Sequence, residues 1–412
     1  MFADPVEQEL FNEISQIPCL DCHTHIDPLR PTASTLDDLL GYHYFTELAH
    51  AVGMPAWLAR VASQECTRAV LAHFRRFDNH VAAGWLIELL RLWFDWDGED
   101  VSERDAEQLW ALAETRLKRP DWAEHVWQRT RLRCLFLTND FDDSLQGFDN
   151  ARYVPCLRTD ELVFRLEDRS VRERLYRASG VAVADLSTFR QAMHALCARF
   201  VERGAKACAV SLPPDFVPVQ PENMGSLGTP GERLWLIAET CRTFQVPFDL
   251  MLGVYRRVYA HGVPQGMDLF DQRVSLYAYA PLFNAFPEVS FCVSILSSSL
   301  NQELTSYAWI FPNVYACGHW WYSNVPASIE NDLRLRLQAA PRHKIIGYYS
   351  DAYKLEFILP KFNMYRRVLA RVLAQDFVRG RHWTTSRTLA LARDLLWNNP
   401  QRLFALDKCG TG

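Results

Sequence analysis

Residues 19–27 read CLDCHTHID: two histidines one residue apart close a short apolar run, with an acid on either side. Along a β-strand successive side chains alternate between faces, so Asp21, His23 and His25 share one face while Cys22 and Thr24 take the other. One face then carries two imidazoles and a carboxylate. Neutral imidazole is the commonest metal ligand and an i, i+2 pair can reach one ion, so the stretch reads as half of a metal site. The plainer reading is a polar strand end with hydrogen-bonded histidines. Cys19 and Cys22 make a C-x-x-C, but three residues apart on a strand they face opposite sides, which argues against a shared zinc or redox role.

The remaining ligands must come from other elements. Eight β-like runs recur at residues 17–25, 132–140, 152–158, 205–212, 246–254, 289–296, 313–320 and 344–351. Most precede a segment with apolar spacing of three and four, such as TFRQAMHALCARFVERG and GERLWLIAETCRTF. Strands alternating with helices imply parallel pairing. Eight of them fit an α/β fold of the (β/α)₈ TIM-barrel type over residues 1–27 and 132–412; an open doubly wound sheet is the structural rival. Residues 28–131 show no strand pattern but do show amphipathic helical ones, including TLDDLLGYHYFTELAHAVG and ERDAEQLWALAETRLKR. They are expected to form a helical insertion after strand one, starting at the C-terminal strand ends where barrel chemistry lies and so covering the active face. The Pro/Gly-rich stretch 213–232 is either a lid or a surface excursion. In a barrel the first and eighth strands are neighbours, so Asp351, ending the last run, joins His23 and His25. Two imidazoles and a carboxylate make three ligands for a divalent cation, with positions open for water or substrate. A helix N-cap is the alternative role for Asp351.

Composition narrows the classes. With 13 Trp and 24 Phe in 412 residues the chain can bury a large core, which excludes disorder for most of it. A net charge of −5 without a basic block gives no footprint for nucleic acid. The N-terminus lacks the pattern of a secretory signal, and no apolar run approaches the roughly 18–20 residues that span a bilayer, so a soluble, cytoplasmic protein without a membrane partner is expected. Eleven scattered cysteines imply reduced thiols, most acting as small apolar side chains. A homo-oligomer is left open.

The H-x-H ending strand one, with an Asp ending strand eight, resembles the amidohydrolase superfamily of metal-assisted (β/α)₈ enzymes. Further stretches narrow the resemblance to the uronate isomerase (glucuronate isomerase) family. GYHYFTELAHAVGMP is similar to that family's helix opening with Asp-His-Tyr, here Tyr42, His43 and Tyr44. LTNDFDDSLQ resembles its Thr-Thr-Asp-Asp-Pro segment, and VPCLRTDELVF its strand followed by Trp-Arg-Pro-Asp, with the arginine at Arg158. GHWWYSN resembles Gly-Trp-Trp-Phe-Asn-Asp, YYSDAY resembles Leu-Thr-Asp-Ser-Arg, and MYRRVLARVL and LLWNNPQRLF resemble the C-terminal helices. The matches run in order from residue 21 to about 404.

The resemblance implies interconversion of aldo- and keto-uronates such as glucuronate and fructuronate, moving a proton between C2 and C1 through a cis-enediol. It assigns proton transfer to Asp351 or a histidine beside it, the sugar oxygens to His43 and Tyr44, and the substrate carboxylate to Arg158 and Arg256. Trp320 and Tyr353 join the substrate pocket. A divalent metal, zinc first among the candidates, is expected on His23, His25 and Asp351. Each role has a plainer competitor. His43 and Tyr44 lie about 100° apart on a helix, so one would pack while the other faces solvent; the arginines could be surface residues, and Trp320 and Trp321 could pack barrel against insertion.

The chain also departs from the family pattern. Met251 stands where strand five carries the histidine of Leu-His-Ile-Gly, and a thioether is a poor ligand for hard or borderline ions. Ala209 and Val210 replace an Asp-His pair, and Tyr353 replaces an arginine that would face an anionic substrate. His319 appears before the Trp pair where the family has a small residue; it is either a donor or acid/base beside Asp351, or a capping or core histidine. The expectation is a uronate isomerase-like enzyme acting on a small sugar acid, with an altered substrate allowed. The alternatives are a metal-dependent hydrolase or lactonase with bound water as nucleophile, and a catalytically impaired sugar-acid binding protein.

Overall fold

All eight runs form strands in the structure, a computed structural model that describes residues 4–406. They are β1 (Cys19–Asp21), β2 (Leu132–Phe136), β3 (Tyr153–Val154), β4 (Cys156–Arg158), β5 (Ala207–Leu212), β6 (Phe248–Leu252), β7 (Val254–Tyr255), β8 (Leu269–Phe270), β9 (Phe291–Ile295), β10 (Val314–Cys317) and β11 (Ile345–Ile346). The third run splits at Pro155, which has no N–H to give to a ladder. β7 and β8 are an antiparallel hairpin that the sequence reading did not anticipate. Every other pairing is parallel, within a three-stranded sheet β1-β2-β3 and a six-stranded sheet β11-β10-β9-β6-β5-β4. β5 is buried along nearly its whole length, as befits a parallel strand covered on both faces.

Backbone hydrogen bonds link the two sheets at both ends. Asn139 N–H donates to the Cys156 carbonyl and Arg158 N–H to the Asn139 carbonyl, each at 3.0 Å. At the other end Asp351 N–H donates to the His23 carbonyl at 3.1 Å and His25 N–H to the Ala352 carbonyl at 2.8 Å. Side chains from every parallel strand, among them Leu20, Cys134, Val154, Cys156, Ala207, Met251, Cys292, Cys317 and Ile346, form one buried cluster. Helices lie between most successive parallel strands, though none separates β2 from β3, and their caps are written locally. Thr229 and Glu232 form a capping box with Pro230 at the first turn of Pro230–Phe244.

Between β1 and β2 the described residues form six α-helices, from Leu36–Leu40 to Trp122–Thr130, and no strand. Their apolar faces share one core with the helix Ile358–Val372. The ten cysteines among the described residues are buried, and Cys409 lies outside them. Cys19 and Cys22 belong to different buried clusters, on opposite sides of their strand. Among the described residues no helix is long and apolar enough to cross a membrane.

Candidate functional site

The chain bends at Cys22 beyond β1, and the side chains of His23, Thr24 and His25 still alternate in direction. Thr24 turns the other way, its hydroxyl donating to the Phe136 carbonyl at 2.8 Å. The two imidazoles converge on the last strand's extension: His23 Nε2 lies 3.4 Å, and His25 Nε2 3.3 Å, from Asp351 Oδ1. Asp21 is not part of this cluster. It accepts a hydrogen bond from Ser350 N–H at 2.8 Å and so steadies the residue before Asp351. Burial pushes the Asp351 carboxyl upward, but the two imidazoles outweigh it and hold the group well below the usual carboxylate range. His25 shifts downward, through burial first, with Asp351 opposing.

The donor set fits a divalent cation. One nitrogen of each imidazole and one carboxylate oxygen lie within 4.8 Å of one another. His23 Nε2 and Asp351 Oδ1 are buried without a hydrogen-bond partner among the described residues. Two ligands each ~2.1 Å from a tetrahedral ion stand ~3.4 Å apart, which matches the observed spacings.

Above this cluster is a cavity of about 270 Å³. His23, His25 and Asp351 line it together with His43, Tyr44, Arg158, Arg256, Trp320, Trp321, Met251 and Tyr353. His43 and Tyr44 both face it despite their angular separation, because the helix His43–Ala51 begins at the cavity wall and presents its first turn. The Tyr44 hydroxyl donates to Asp351 Oδ2 at 3.3 Å. Burial lowers the His43 imidazole to about 3, so it is neutral at physiological pH. Tyr353 stacks on His25, centroids 4.9 Å apart. The arginines arrive already paired, Arg158 Nε with Asp160 Oδ2 at 3.2 Å and Arg256 Nη1 with Asp268 Oδ2 at 2.7 Å. A second cavity of about 620 Å³ adjoins the first and shares His25, His43, Gln265 and Tyr353 with it.

His319 stands apart from this assembly. At Gly318, φ +50°, the chain turns hard against the Tyr349 ring, where an added Cβ would lie 2.1 Å from Cε1. The following imidazole is buried outside the cavity wall, its Nδ1 3.9 Å from Asp332 Oδ2 and its ring beside Tyr365. Burial lowers its pKa well below the ordinary value, so it is a neutral core histidine. The 213–232 stretch likewise contributes no lining residue. The hairpin segment does instead, through Arg256, Gln265 and Asp268. Sequence reading gave no role to Asp160, Tyr42 or Lys361. Asp160 was signalled by its place two residues after Arg158; nothing local signalled Lys361, whose ammonium burial lowers to about 8 against the raising fields of Asp351 and Asp21.

No family model matches this chain. A curated uronate isomerase from Thermotoga petrophila is 22% identical over 438 residues, covering 96% of this chain and 96% of the relative. One from Haemophilus influenzae is also 22% identical, over 73% of this chain and 74% of its own. Among solved structures, a glucuronate isomerase from Caulobacter crescentus superposes with a TM-score of 0.89 at 20% identity, over 99% and 96% of the two chains. The uronate isomerase from Thermotoga maritima gives 0.88 at 20% identity over 98% and 100%, and that from Bacillus halodurans 0.82 at 23% over 97% and 96%. The chain shares the fold of these enzymes along nearly its whole length.

Proposed function

We propose that this chain is an aldose–ketose isomerase acting on small sugar acids of the uronate class. The observation that carries the reading is one carboxylate with two environments. Asp351 turns Oδ1 to a pair of imidazoles and Oδ2 to a tyrosine hydroxyl, beneath a cavity walled by two arginines. At about 270 Å³ that cavity is smaller than the roughly 300–1,000 Å³ of drug-sized sites, which suits one small molecule. The curated uronate isomerases that match it over nearly its whole length support the same reading.

In this mechanism Arg158 and Arg256 hold the substrate carboxylate through charge-assisted hydrogen bonds. Asp351, held ionised, accepts the proton as the C2–H bond breaks. The electron pair forms the C1–C2 double bond of the cis-enediol, and O1 gains a proton. Tyr44 and neutral His43 donate to the sugar oxygens and exchange the hydroxyl protons. As the O2 proton leaves and the ketone forms, Asp351 returns its proton to C1, so the sum is a hydrogen shift with no net oxidation. Trp320 and Tyr353 shape the pocket wall. His23, His25 and Asp351 would hold a divalent cation, zinc by the donor set, whose charge would stabilise developing negative charge on substrate oxygens.

The same reading makes the eight parallel runs, the third of them split into β3 and β4, a closed (β/α)₈ barrel. It is supported by the backbone hydrogen bonds between the first and last runs and by the cluster to which every parallel strand contributes. Residues 28–131 are then an inserted helical cover that supplies His43 and Tyr44. A cytoplasmic location accords with this metabolic role. A coupled assay with glucuronate and galacturonate, with zinc added, should show conversion to the ketouronates. No turnover of any uronate, with or without zinc, would reject the proposal; hydrolysis of sugar lactones in its place would favour the hydrolase alternative.

A further inference from the structure

Lys361 has no exposed surface, and the mechanism above makes no use of it. Its Nζ donates to the Tyr42 hydroxyl and to the Ser350 carbonyl, each at 2.9 Å. It also packs 4.7 Å from the Trp85 ring and 5.2 Å from the rings of Tyr42 and Tyr44. Both acceptors are neutral oxygens. An ammonium taken out of water is poorly repaid by such partners, and an apolar side chain in the same space would incur no such cost. The reason for keeping a charge here lies in what it touches.

What it touches is the peptide that carries Asp351. That residue has φ +54°, the left-handed region that a residue with a β-carbon enters only when its surroundings insist. The surroundings do so at several points. Ser350 N–H is held by Asp21 Oδ1, Asp351 N–H by the His23 carbonyl, and the Ala352 carbonyl by His25 N–H. Lys361 adds two ties. It grips the Ser350 carbonyl directly. By donating to Tyr42 it also leaves that hydroxyl's own proton free for the Asp351 carbonyl, 3.4 Å away.

We propose that Lys361 is a positioning residue: its ammonium holds the Ser350–Asp351 peptide in the left-handed turn that aims one carboxylate oxygen at His23 and His25 and the other at Tyr44. The kinetic part of this inference rests on the isomerase reading, whereas the metal-binding part does not. A purely structural bolt in the same place would contribute to stability and leave the aim of Asp351 unchanged.

The two roles separate in Lys361→Met, which fills the space without charge or donors. Co²⁺ added to metal-free protein reports ligand geometry at His23, His25 and Asp351 through its visible absorption, with no substrate present. We expect a variant with unchanged far-UV circular dichroism, shifted and weakened Co²⁺ bands, and Co²⁺ affinity lower by ~10-fold or more, as for loss of other groups that orient metal ligands. With a uronate, kcat should fall ~100-fold, while KM stays within about threefold because the arginines are untouched. A folded variant with wild-type Co²⁺ bands and affinity overturns the proposal, whatever its melting temperature, as does absence of Co²⁺ uptake by the wild type. Should Lys361→Met fail to fold, Tyr42→Phe carries the same test, since it deletes the hydroxyl between the ammonium and the Asp351 carbonyl; unchanged bands there overturn it and shifted bands support it. A wild type that binds Co²⁺ yet isomerises no uronate counts against the isomerase reading alone, and the Co²⁺ comparison still decides Lys361.

Discussion

Arg158 and Arg256 enter the cavity with their charges matched by Asp160 and Asp268, so in the proposed reaction the substrate carboxylate shares guanidiniums that are already oriented. Orientation by a neighbouring acid limits the side-chain entropy lost when the anion binds. Hydrogen bonds to charged groups contribute ~1.5–3 kcal/mol, so Arg158→Met should raise KM for a uronate by ~10–100-fold and leave kcat within a few-fold. Unchanged saturation kinetics would remove Arg158 from the site. Asp351→Asn tests the other end of the reaction. The amide keeps the shape but cannot accept the C2 proton, and one side of it now presents N–H to the imidazoles or to Tyr44. Turnover should fall by ~10²–10⁴-fold, and the purified variant should retain less zinc; full activity in Asp351→Asn would show that another group moves the proton. The histidines illustrate how far residue type alone can be read. His23 and His25 were legible from their spacing and His43 only through the family resemblance, but His319 had equal claim by type and was sent elsewhere by the turn at Gly318.

At the scale of elements, Glu356 ties the helical segment to the turn that leads into the helix Ile358–Val372. Its Oε1 accepts from Trp122 Nε1 at 2.8 Å and from Ala33 N–H at 3.1 Å, and its carbonyl accepts from Trp93 Nε1 at 2.8 Å. Burial raises the carboxyl from an ordinary 4.5 to about 7, with the Trp122 hydrogen bond opposing. Because the folded state holds this proton more tightly than the unfolded chain, the contribution to stability is full below pH 4.5 and is lost as pH rises through about 7. The loss amounts to about 3 kcal/mol. Urea midpoints at pH 5 and pH 7.5 should differ more in the wild type than in Glu356→Gln, and equal differences would show that Glu356 does not titrate in this window. The longer strands and helices were legible because apolar periodicity is a property of a few turns of chain. The β7–β8 hairpin was not, since strands of two residues leave no period to detect, and the break of the third run rests on one residue, Pro155. The 213–232 stretch has the composition of a lid, yet Gly228 packs it against Leu186, Gly231 folds it onto its own Val217 and Val219, and none of its residues lines the cavity.

For the whole molecule, the decisive contact is between segments more than three hundred residues apart. Backbone hydrogen bonds between His23 and Asp351 and between His25 and Ala352 join the first run to the last. A cation bridging His23, His25 and Asp351 would therefore clamp the two ends of the fold and couple binding to global stability. Zinc in hundredfold excess over its Kd should stabilise the protein by ~2.7 kcal/mol, visible as a higher Tm that a chelator reverses. His25→Ala should lose most of that response, and an equal rise in both proteins would place the ion elsewhere. Residues from the helical segment line the cavity because the helix His43–Ala51 begins at its wall, eighteen residues beyond His25.

By itself the sequence determined an alternating parallel α/β architecture, a long helical interval after the first strand, and a pair of histidines able to share an ion. Each follows from residue type and spacing over a few turns, and the same local order carried the resemblance to uronate isomerases. The sequence also led Asp351 to be expected beside those histidines; tertiary structure alone decided the left-handed turn in which it meets them, that Tyr44 takes its second oxygen, that His319 is excluded, and that a buried lysine stands behind the turn. Those outcomes depend on packing between distant segments, where one glycine against one ring redirects a side chain, and no local pattern encodes such a contact.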